Sequence, residues 1–283
     1  MKVLEFQAVY VMWLRELKKF FRSYSRVIAM VAMPAFFLAF MGMGFESFEM
    51  PGLPSGAVIA EALGFDPISS LLFADQIGQF FGLDYMSFLA PGIVGMILLF
   101  ASMTAGMSIL FDREFGFLKE VMVAPVSRFS IAMGRTMGGV TTAIMQGLLI
   151  LGIAGVMGVN ISIPTGLGLS VVFMFLISIG FVGMGMAFAA KMTDFQGFML
   201  VMNFVIFPLF FLSGALFPLS AFPGWIQSIA YLDPLTYAVD ALRTTLVGIG
   251  GTMPLTLNFL ILIGFTAAML LVSTYLFQRT EVD

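Results

Sequence analysis

The chain has 283 residues, a formal net charge of −3 and a mean hydropathy of +1.05; 60% of its residues are hydrophobic and 10% are charged. A soluble domain carries about a quarter charged residues, so we predict a polytopic membrane protein with an all-α backbone. The sequence has no cysteine and no histidine, which excludes disulfides, thiolate chemistry and the usual general base. We therefore expect no catalytic residue, no metal site and no cofactor.

Residues 3–24 carry large apolar side chains spaced three or four apart, which places them on one face of a helix. No short apolar run with a small-residue cleavage site is present there, so we expect no removable signal peptide. We predict an amphipathic helix within residues 1–25 that lies on the membrane, with its basic groups toward anionic headgroups. A soluble helix packed on a partner protein is the alternative. The apolar positions are Val3, Phe6, Tyr10, Trp13, Leu17, Phe20 and Tyr24.

Six uncharged runs follow within residues 26–280, which we predict to be one transmembrane domain. Each run is close to the roughly 20 residues that cross the hydrocarbon core. Pro34 is expected to kink the first, and the glycines of the third and fourth predict close helix packing. None contains Asp, Glu, Lys or Arg, which disfavours a proton-coupled carrier and an intramembrane enzyme. The predicted spans are residues 27–45, 88–111, 137–159, 167–190, 198–217 and 255–277.

The basic residues fix the predicted orientation. Twelve of the 13 lie in the segments before span one, between spans two and three, between spans four and five, and after span six; Arg243 is the exception. The positive-inside rule then puts both termini in the cytoplasm of a cell-membrane protein. The loop 46–86 falls outside, with acidic residues and no Lys or Arg. These acids could gather cationic solutes or simply keep the loop soluble.

The segment between the second and third spans, residues 111–139, contains a candidate short amphipathic helix. Its apolar residues from Phe115 to Met122 fall on one face, and Pro125 ends it. Ser127 is a candidate N-cap for the helix that leads into the third span. A short helix held between two rigid spans would move both when pushed. An ordinary surface helix in a positively charged loop is the alternative.

An apolar stretch that cannot form one helix runs from residue 208 to residue 243. Its prolines remove backbone donors and clash with a continuing turn, yet the residues between them stay apolar or aromatic. We predict a re-entrant segment at the external membrane boundary, with Trp225, Tyr231 and Tyr237 at interfacial depth. The prolines that break it are Pro218, Pro223 and Pro234.

The last part of this stretch has the signals of a new helix. Asp233 is the predicted N-cap, Pro234 the first helical residue and Gly248 the stop. Asp240 and Arg243 are three residues apart and could pair; alternatively, Arg243 is a surface residue whose charge snorkels to the interface. The predicted apolar stripe consists of Leu235, Ala238, Val239, Leu242 and Leu246.

Two of these segments, in this order within six spans, resemble the membrane subunits (permeases) of type-2 ABC transporters, chiefly exporters. The resemblance covers nearly the whole chain, and the run YMSFLAPGI at 85–93 is a third, weaker match. The outer loop 46–86 departs from it and carries no recognisable motif. The matching residues after span two are Arg113, Glu114, Gly116, Leu118, Glu120, Pro125, Val126, Ser127 and Arg128. Those of the broken stretch are Phe211, Leu212, Ser213, Gly214, Phe217, Pro218, Pro223, Trp225, Asp233, Pro234, Leu235, Thr236, Tyr237, Asp240 and Arg243.

The resemblance implies the permease subunit of an ATP-driven exporter. Two permease subunits, identical or different, would form the pathway, and two separate ATPase subunits would dock on the cytoplasmic face; the sequence contains no Gly-Lys pair and hence no phosphate-binding loop of its own. A pathway lined by Phe, Met and small residues suits an amphipathic or lipid-like substrate. No nucleic-acid partner is expected. A secondary carrier or channel that is not coupled to ATP is the alternative.

The resemblance also implies roles for particular residues. The segment at about 114–124 would be the coupling helix that contacts the ATPase, with the helix at 3–24 beside it as connecting helix, and 218–243 would be the external gate. The implied coupling residues are Arg113, Glu114, Gly116, Phe117, Leu118, Glu120, Pro125 and Arg128. The implied gate residues are Pro218, Pro223, Trp225, Asp233, Pro234, Tyr237, Asp240 and Arg243.

Overall fold

The computed structural model describes residues 5–46, 85–114, 127–161, 165–192, 194–248 and 251–278. Within these ranges it contains nine α-helices, one short 3₁₀ turn and no β-strand, which confirms the predicted all-α class. The helices are α1 (Phe6–Arg22), α2 (Tyr24–Glu46), α3 (Tyr85–Glu114), α4 (Arg128–Val156), α5 (Thr165–Lys191), α6 (Phe195–Leu212), α7 (Gly224–Ala230), α8 (Pro234–Leu246) and α9 (Leu255–Gln278); the 3₁₀ turn is Leu219–Ala221.

Five of these helices are long and apolar enough to cross a membrane: α3, α4, α5, α6 and α9. They correspond to the second to sixth predicted spans. The first predicted span forms α2, with Pro34 inside it, but its apolar part among the described residues is the shorter stretch Val31–Gly42. The six-span arrangement therefore stays a prediction. The conclusion that the chain is a multi-pass helical membrane protein needs only the five long helices.

Helix α3 lies at the centre of the fold. It is buried along most of its length and packs against α2, α4, α5, α6 and α8. Its closest approach is to α5, because a Cβ on either Gly106 or Gly185 would overlap the backbone of the other helix. This contact confirms a packing role for Gly185. By contrast, α6 and α9 lie at the edge and expose large apolar side chains such as Phe204 (79%) and Leu271 (74%).

Two span boundaries differ from the prediction. Helix α4 starts about nine residues before the predicted span, and Arg135, which precedes that span, lies inside the helix and is buried. The predicted span begins after the last charged residue, and this criterion fails where a charged side chain is packed among helices. The fifth span ends at Leu212 instead of residue 217, because the chain turns at Gly214 with a φ of +73°. The loop 47–84 and the segment 115–126 lie outside the described residues.

Candidate functional site

The broken segment, defined here as residues 213–248, begins with a tight turn after α6. The Ser213 hydroxyl donates to the Phe210 carbonyl (2.7 Å) and accepts from the Ala215 amide (3.3 Å). Pro218 then precedes the 3₁₀ turn and Pro223 precedes α7, each with extended backbone. The prolines therefore start short helical pieces, because a residue without an N–H fits where a donor has no helical partner.

Asp233 connects α7 to α8 and confirms the predicted helix start. Its Oδ1 accepts a hydrogen bond from the Leu235 amide (2.8 Å), and Pro234 is the first residue of α8. The side chain is only 4% exposed, and burial raises the pKa of Asp233 to about 8, against the lowering effect of that backbone hydrogen bond. Two further bonds close the corner: Thr236 Oγ1 donates to the Ala230 carbonyl and Tyr237 Oη to the Tyr231 carbonyl, both at 2.8 Å.

Helix α8 is buried on nearly all sides. The five residues of the predicted stripe are fully buried, which confirms that prediction, but polar residues on its other faces, such as Thr236 and Thr245, are buried as well. The helix lies among α3, α5 and α9. A polar helix enclosed in this way must satisfy its polar side chains internally.

Arg243 lies inside the protein, 8% exposed, which overturns the interpretation of a snorkelling surface arginine. Its Nη2 donates to the Gly214 carbonyl (2.9 Å), and its guanidinium carbon lies 3.7 Å from the centre of the Phe88 ring on α3. Burial lowers the pKa of Arg243 to about 10, and nearby Asp240 opposes that shift, so the side chain stays protonated at neutral pH. Arg243 therefore links α8 to the turn after α6 and to the start of α3.

Asp240 binds the start of α9 instead of pairing by a hydrogen bond with Arg243. Its Oδ1 accepts from the Thr252 amide (2.7 Å) and hydroxyl (3.0 Å). Its Oδ2 accepts from the Met253 amide (3.3 Å) and from Asn258 Nδ2 (2.8 Å). The carboxylate thus fixes the loop before α9 and the first turn of that helix against α8.

The predicted gate residues fall into two groups that differ in exposure. Asp233, Tyr237, Asp240 and Arg243 are buried in the corner and on α8, whereas Trp225 on α7 is 69% exposed. Other large apolar side chains around α7 are also open, notably Ile229, Tyr231 and Leu232. The segment is therefore fixed at its inner side and presents an apolar outer side.

Helix α1 packs directly on α4 of the same chain. Trp13 Nε1 donates to Thr141 Oγ1 (3.0 Å), and the two backbones approach so closely that a Cβ on Gly138 would lie 2.6 Å from the Cβ of Glu16. Glu16 in turn accepts from the Ser108 hydroxyl of α3 (2.9 Å). The predicted helix is confirmed, and two of the five apolar-face residues whose burial the structure describes remain open: Phe6 is 81% exposed and Tyr10 is 56% exposed. Its position on a membrane stays a prediction.

The predicted coupling residues are only partly within the described ranges. Arg113 and Glu114 end α3, and Arg128 begins α4. Ser127 is the N-cap of α4, as predicted, and accepts a hydrogen bond from the Ser130 amide (3.1 Å). The others lie outside the described residues: Gly116, Phe117, Leu118, Glu120 and Pro125. No cluster of acidic residues suited to a metal ion occurs in the part of the chain that the structure describes.

Sequence reasoning missed the residues that complete these contacts. Arg243 stacks over the Phe88 ring and donates to the Gly214 carbonyl, and Thr252 and Asn258 donate hydrogen bonds to Asp240. The sequence predicts no role for these four partners. A charged residue in a sequence this apolar signals that a partner must exist, but it does not identify the partner.

The fold and this segment define a multi-pass helical membrane protein whose broken segment is held at the end of a central helix. The model of the family described as ABC-2 type transporter matches residues 7–247, and the chain belongs to that family as a transport permease. The chain is 28% identical over 209 residues to the inner membrane transport permease YadH of Escherichia coli K12, covering 74% of this chain and 80% of YadH.

Two further relatives are matched over shorter lengths. The transport permease ycf38 of Cyanophora paradoxa is 32% identical over 161 residues, which is 56% of each chain. The probable multidrug ABC transporter permease YbhR of Escherichia coli K12 is 28% identical over 160 residues, or 56% of this chain and 43% of YbhR. The match thus spans about half the length of these two relatives. Permeases of this family normally work with an ATPase partner.

Proposed function

We propose that this chain is the permease subunit of an ATP-driven exporter, with hydrolysis on a separate ATPase subunit and an amphipathic or lipid-like substrate. In the complete transporter, two permease subunits and two ATPase subunits assemble, and both termini of this chain face the cytoplasm. The family membership supports the transport role, and the chain carries no Gly-Lys pair with which to bind ATP in a phosphate-binding loop.

The observation that carries the proposal is the continuity of α3. This helix has 30 residues and is therefore about 45 Å long at 1.5 Å per residue. Near its start, the ring of Phe88 contacts the guanidinium of Arg243, and Gly95 packs against Val239 of α8. Its other end, at Glu114, leads into the predicted coupling segment. One continuous helix, with Pro91 inside its first part, thus connects the segment that would meet the ATPase with the segment that would close the pathway.

The contacts of α1 strengthen this connection. Glu16 of α1 bonds Ser108 of α3, and Trp13 bonds Thr141 of α4. The helices on both sides of the predicted coupling segment are therefore joined through α1. A displacement of that segment would move α1, α3 and α4 together, and α3 would transmit the movement to the broken segment, which serves as the external gate in this proposal.

Charge reversal in the coupling segment tests the proposal. In Glu114→Lys and Glu120→Lys, we expect normal expression and assembly of the permease, but transport lost or ATP hydrolysis no longer coupled to it, because the ATPase contact loses its acidic groups. Glu281→Lys is the matched control, since it makes the same change near the C-terminus on the same predicted side. The measurements are substrate-stimulated ATP hydrolysis and transport by the reconstituted complex.

Normal coupled transport in both coupling variants would overturn the role of this segment. Transport by the wild-type chain that persists after ATP depletion would overturn the proposal as a whole and would favour a secondary carrier or channel.

A further inference from the structure

A cavity of about 330 Å³ lies between α1, α3, α4 and α6, apart from the broken segment. Its volume falls in the range of small-molecule sites, about 300 to 1,000 Å³. Aromatic and thioether side chains form much of its wall, including Phe20, Phe111, Phe195 and Met199. The cavity is therefore large enough, and apolar enough, for the body of a drug-sized molecule.

Polar side chains line the same cavity in two rows. Thr104 and Ser108 are one turn apart on α3, and Thr142 and Gln146 are one turn apart on α4. The carboxylate of Glu16 on α1 accepts a hydrogen bond from the Ser108 hydroxyl. The polar groups thus extend from α1 along the facing sides of two long helices.

These polar groups present acceptors. The hydroxyls of Thr104 and Thr142 donate to backbone carbonyls of their own helices, at 2.7 and 2.9 Å, and the Ser108 hydroxyl donates to Glu16 at 2.9 Å. Because each hydroxyl hydrogen is already used, its oxygen remains as an acceptor. Among the lining residues that the structure describes, Lys19 is the one with a cationic donor, and it lies three residues after Glu16 on α1.

Gln146 has an acceptor without a partner. Its side chain is 2% exposed, and its Nε2 donates to the Thr142 carbonyl (3.2 Å), which fixes the orientation of the amide. Its Oε1 is buried and accepts no hydrogen bond from any residue within the described ranges. A buried acceptor in this state is costly, so it indicates a group that is supplied from outside the chain.

We propose that this cavity binds a drug-sized, largely apolar molecule through a hydrogen-bond donor, an amine or a hydroxyl, that reaches Gln146. An anion fits poorly, because the oxygens of Glu16, Ser108 and Gln146 would repel it. As the binding site of the transported substrate, the cavity rests on the proposed export function; as a binding site, it is testable without it.

Four naphthalenes of matched size test the donor rule on the full chain in lipid nanodiscs. 2-Naphthylmethylamine carries a cationic donor and 2-naphthol a neutral one; 2-methoxynaphthalene has no donor, and 2-naphthoate is an anion. Their fluorescence is titrated against nanodiscs with and without protein, which removes the contribution of lipid partitioning. We expect the two donor-bearing probes to bind more tightly than the ether and the anion, and their ranking to show whether charge adds to the effect.

Two variants of Gln146 locate the donor contact. In Gln146→Leu and Gln146→Met, the two donor-bearing probes should lose about tenfold in affinity, the worth of one hydrogen bond, while 2-methoxynaphthalene binds equally well or better. The matched control Gln7→Leu, at an exposed position of α1, should change nothing. Equal losses for probes with and without a donor, or no loss for any probe, would overturn the proposal.

A filling variant tests the location separately. Met199 lines the cavity but is 36% exposed, so Met199→Trp should fold and should weaken binding of every probe at least tenfold. Unchanged binding in this variant would place the probes elsewhere and overturn the assignment. Transport is measured independently: probe binding without ATP-coupled transport would refute the export function alone, and coupled transport without probe binding would refute the cavity alone.

Discussion

The broken segment and the contact region of α1 use opposite kinds of packing at the two ends of α3. Around α8, the buried Asp240 carboxylate receives four hydrogen bonds, and Arg243 is held by a carbonyl and an aromatic ring. Around α1, single hydrogen bonds hold the helix to α3 and α4, glycine contacts hold it to α4, and a cavity remains next to it. The hydrogen bonds around α8 fix one geometry. The contacts around α1 leave a cavity that is open to a ligand.

This difference follows from what each region encloses. A charged side chain inside the protein needs several partners in one geometry, because a missing partner costs the desolvation of the charge. Contacts between small residues have no such requirement, since they depend on how closely the two backbones approach and not on the pairing of a charge. In the proposed mechanism, the displaced region is held by close backbone contacts and single hydrogen bonds, and the broken segment moves as a unit because its buried charges keep one geometry.

The largest effect is expected from removing the carboxylate of Asp240. In Asp240→Ala, four donors lose their acceptor and the buried Arg243 loses a nearby negative charge, so we expect a loss of about 3 kcal/mol or more in the free energy of unfolding. The matched control is Asp194→Ala, which removes the exposed N-cap of α6 and should cost about 1 kcal/mol. Thermal unfolding of the purified chain provides the measurement. Similar losses in the two variants would contradict the idea that the broken segment is the rigid end.

A smaller effect is expected at the corner before α8. Below pH 4, where the carboxyl is largely protonated in both states, Asp233→Ala should destabilise by about 1 to 2 kcal/mol, because the Leu235 amide loses its cap. Asp233→Asn keeps the cap and should be close to neutral in that pH range. The folded-state pKa of about 8 lies above the unfolded value of about 4, so the neutral carboxyl stabilises the fold.

That stabilisation is complete below pH 4 and is lost as the pH rises through about 8. The unfolding temperature of the wild type should therefore fall between pH 6 and pH 9, and that of Asp233→Asn should fall less. Parallel pH profiles for the two proteins would show that Asp233 ionises without cost in the folded state.

The features that the sequence predicted well are the local ones. Ser127, Asp233 and Gly248 act within one turn of their own position, so the pattern of neighbouring residues was sufficient to find them. The order of the long apolar helices followed from run length and composition in the same way. The breaks in this segment also follow from its prolines, which precede its short helical pieces.

The features that could not be predicted depend on distant partners. The contact of Arg243 with Phe88 joins helices that are far apart in the chain, and apolar composition does not say which face of α3 meets α8. The burial of Arg135 could not be predicted for the same reason: a charge in the sequence indicates exposure, and only the packing of the helices shows this side chain inside the protein. The open acceptor of Gln146 is equally invisible, because it depends on which hydrogen bonds the neighbouring helices leave unused.

The smallest effect is expected where α1 packs against α4. Two glycines of α4 allow the contribution of this contact to be measured, because Gly138 lies in the contact and Gly152 does not. In Gly152→Ala, the new Cβ meets nothing within 4 Å, so the higher helix propensity of alanine should stabilise the chain by up to about 1 kcal/mol. In Gly138→Ala, the same gain is offset by overlap with Glu16, whose Cβ would lie 2.6 Å away, and we expect a net loss of about 1 kcal/mol. Thermal unfolding gives the sign, and the fluorescence of Trp13, one of the two tryptophans in the chain, reports whether α1 has moved away from Thr141. If both alanines stabilise equally and the tryptophan signal is unchanged, α1 is held less closely than the contact with Glu16 implies, and the connection between α1 and the flanks of the coupling segment loses its physical basis.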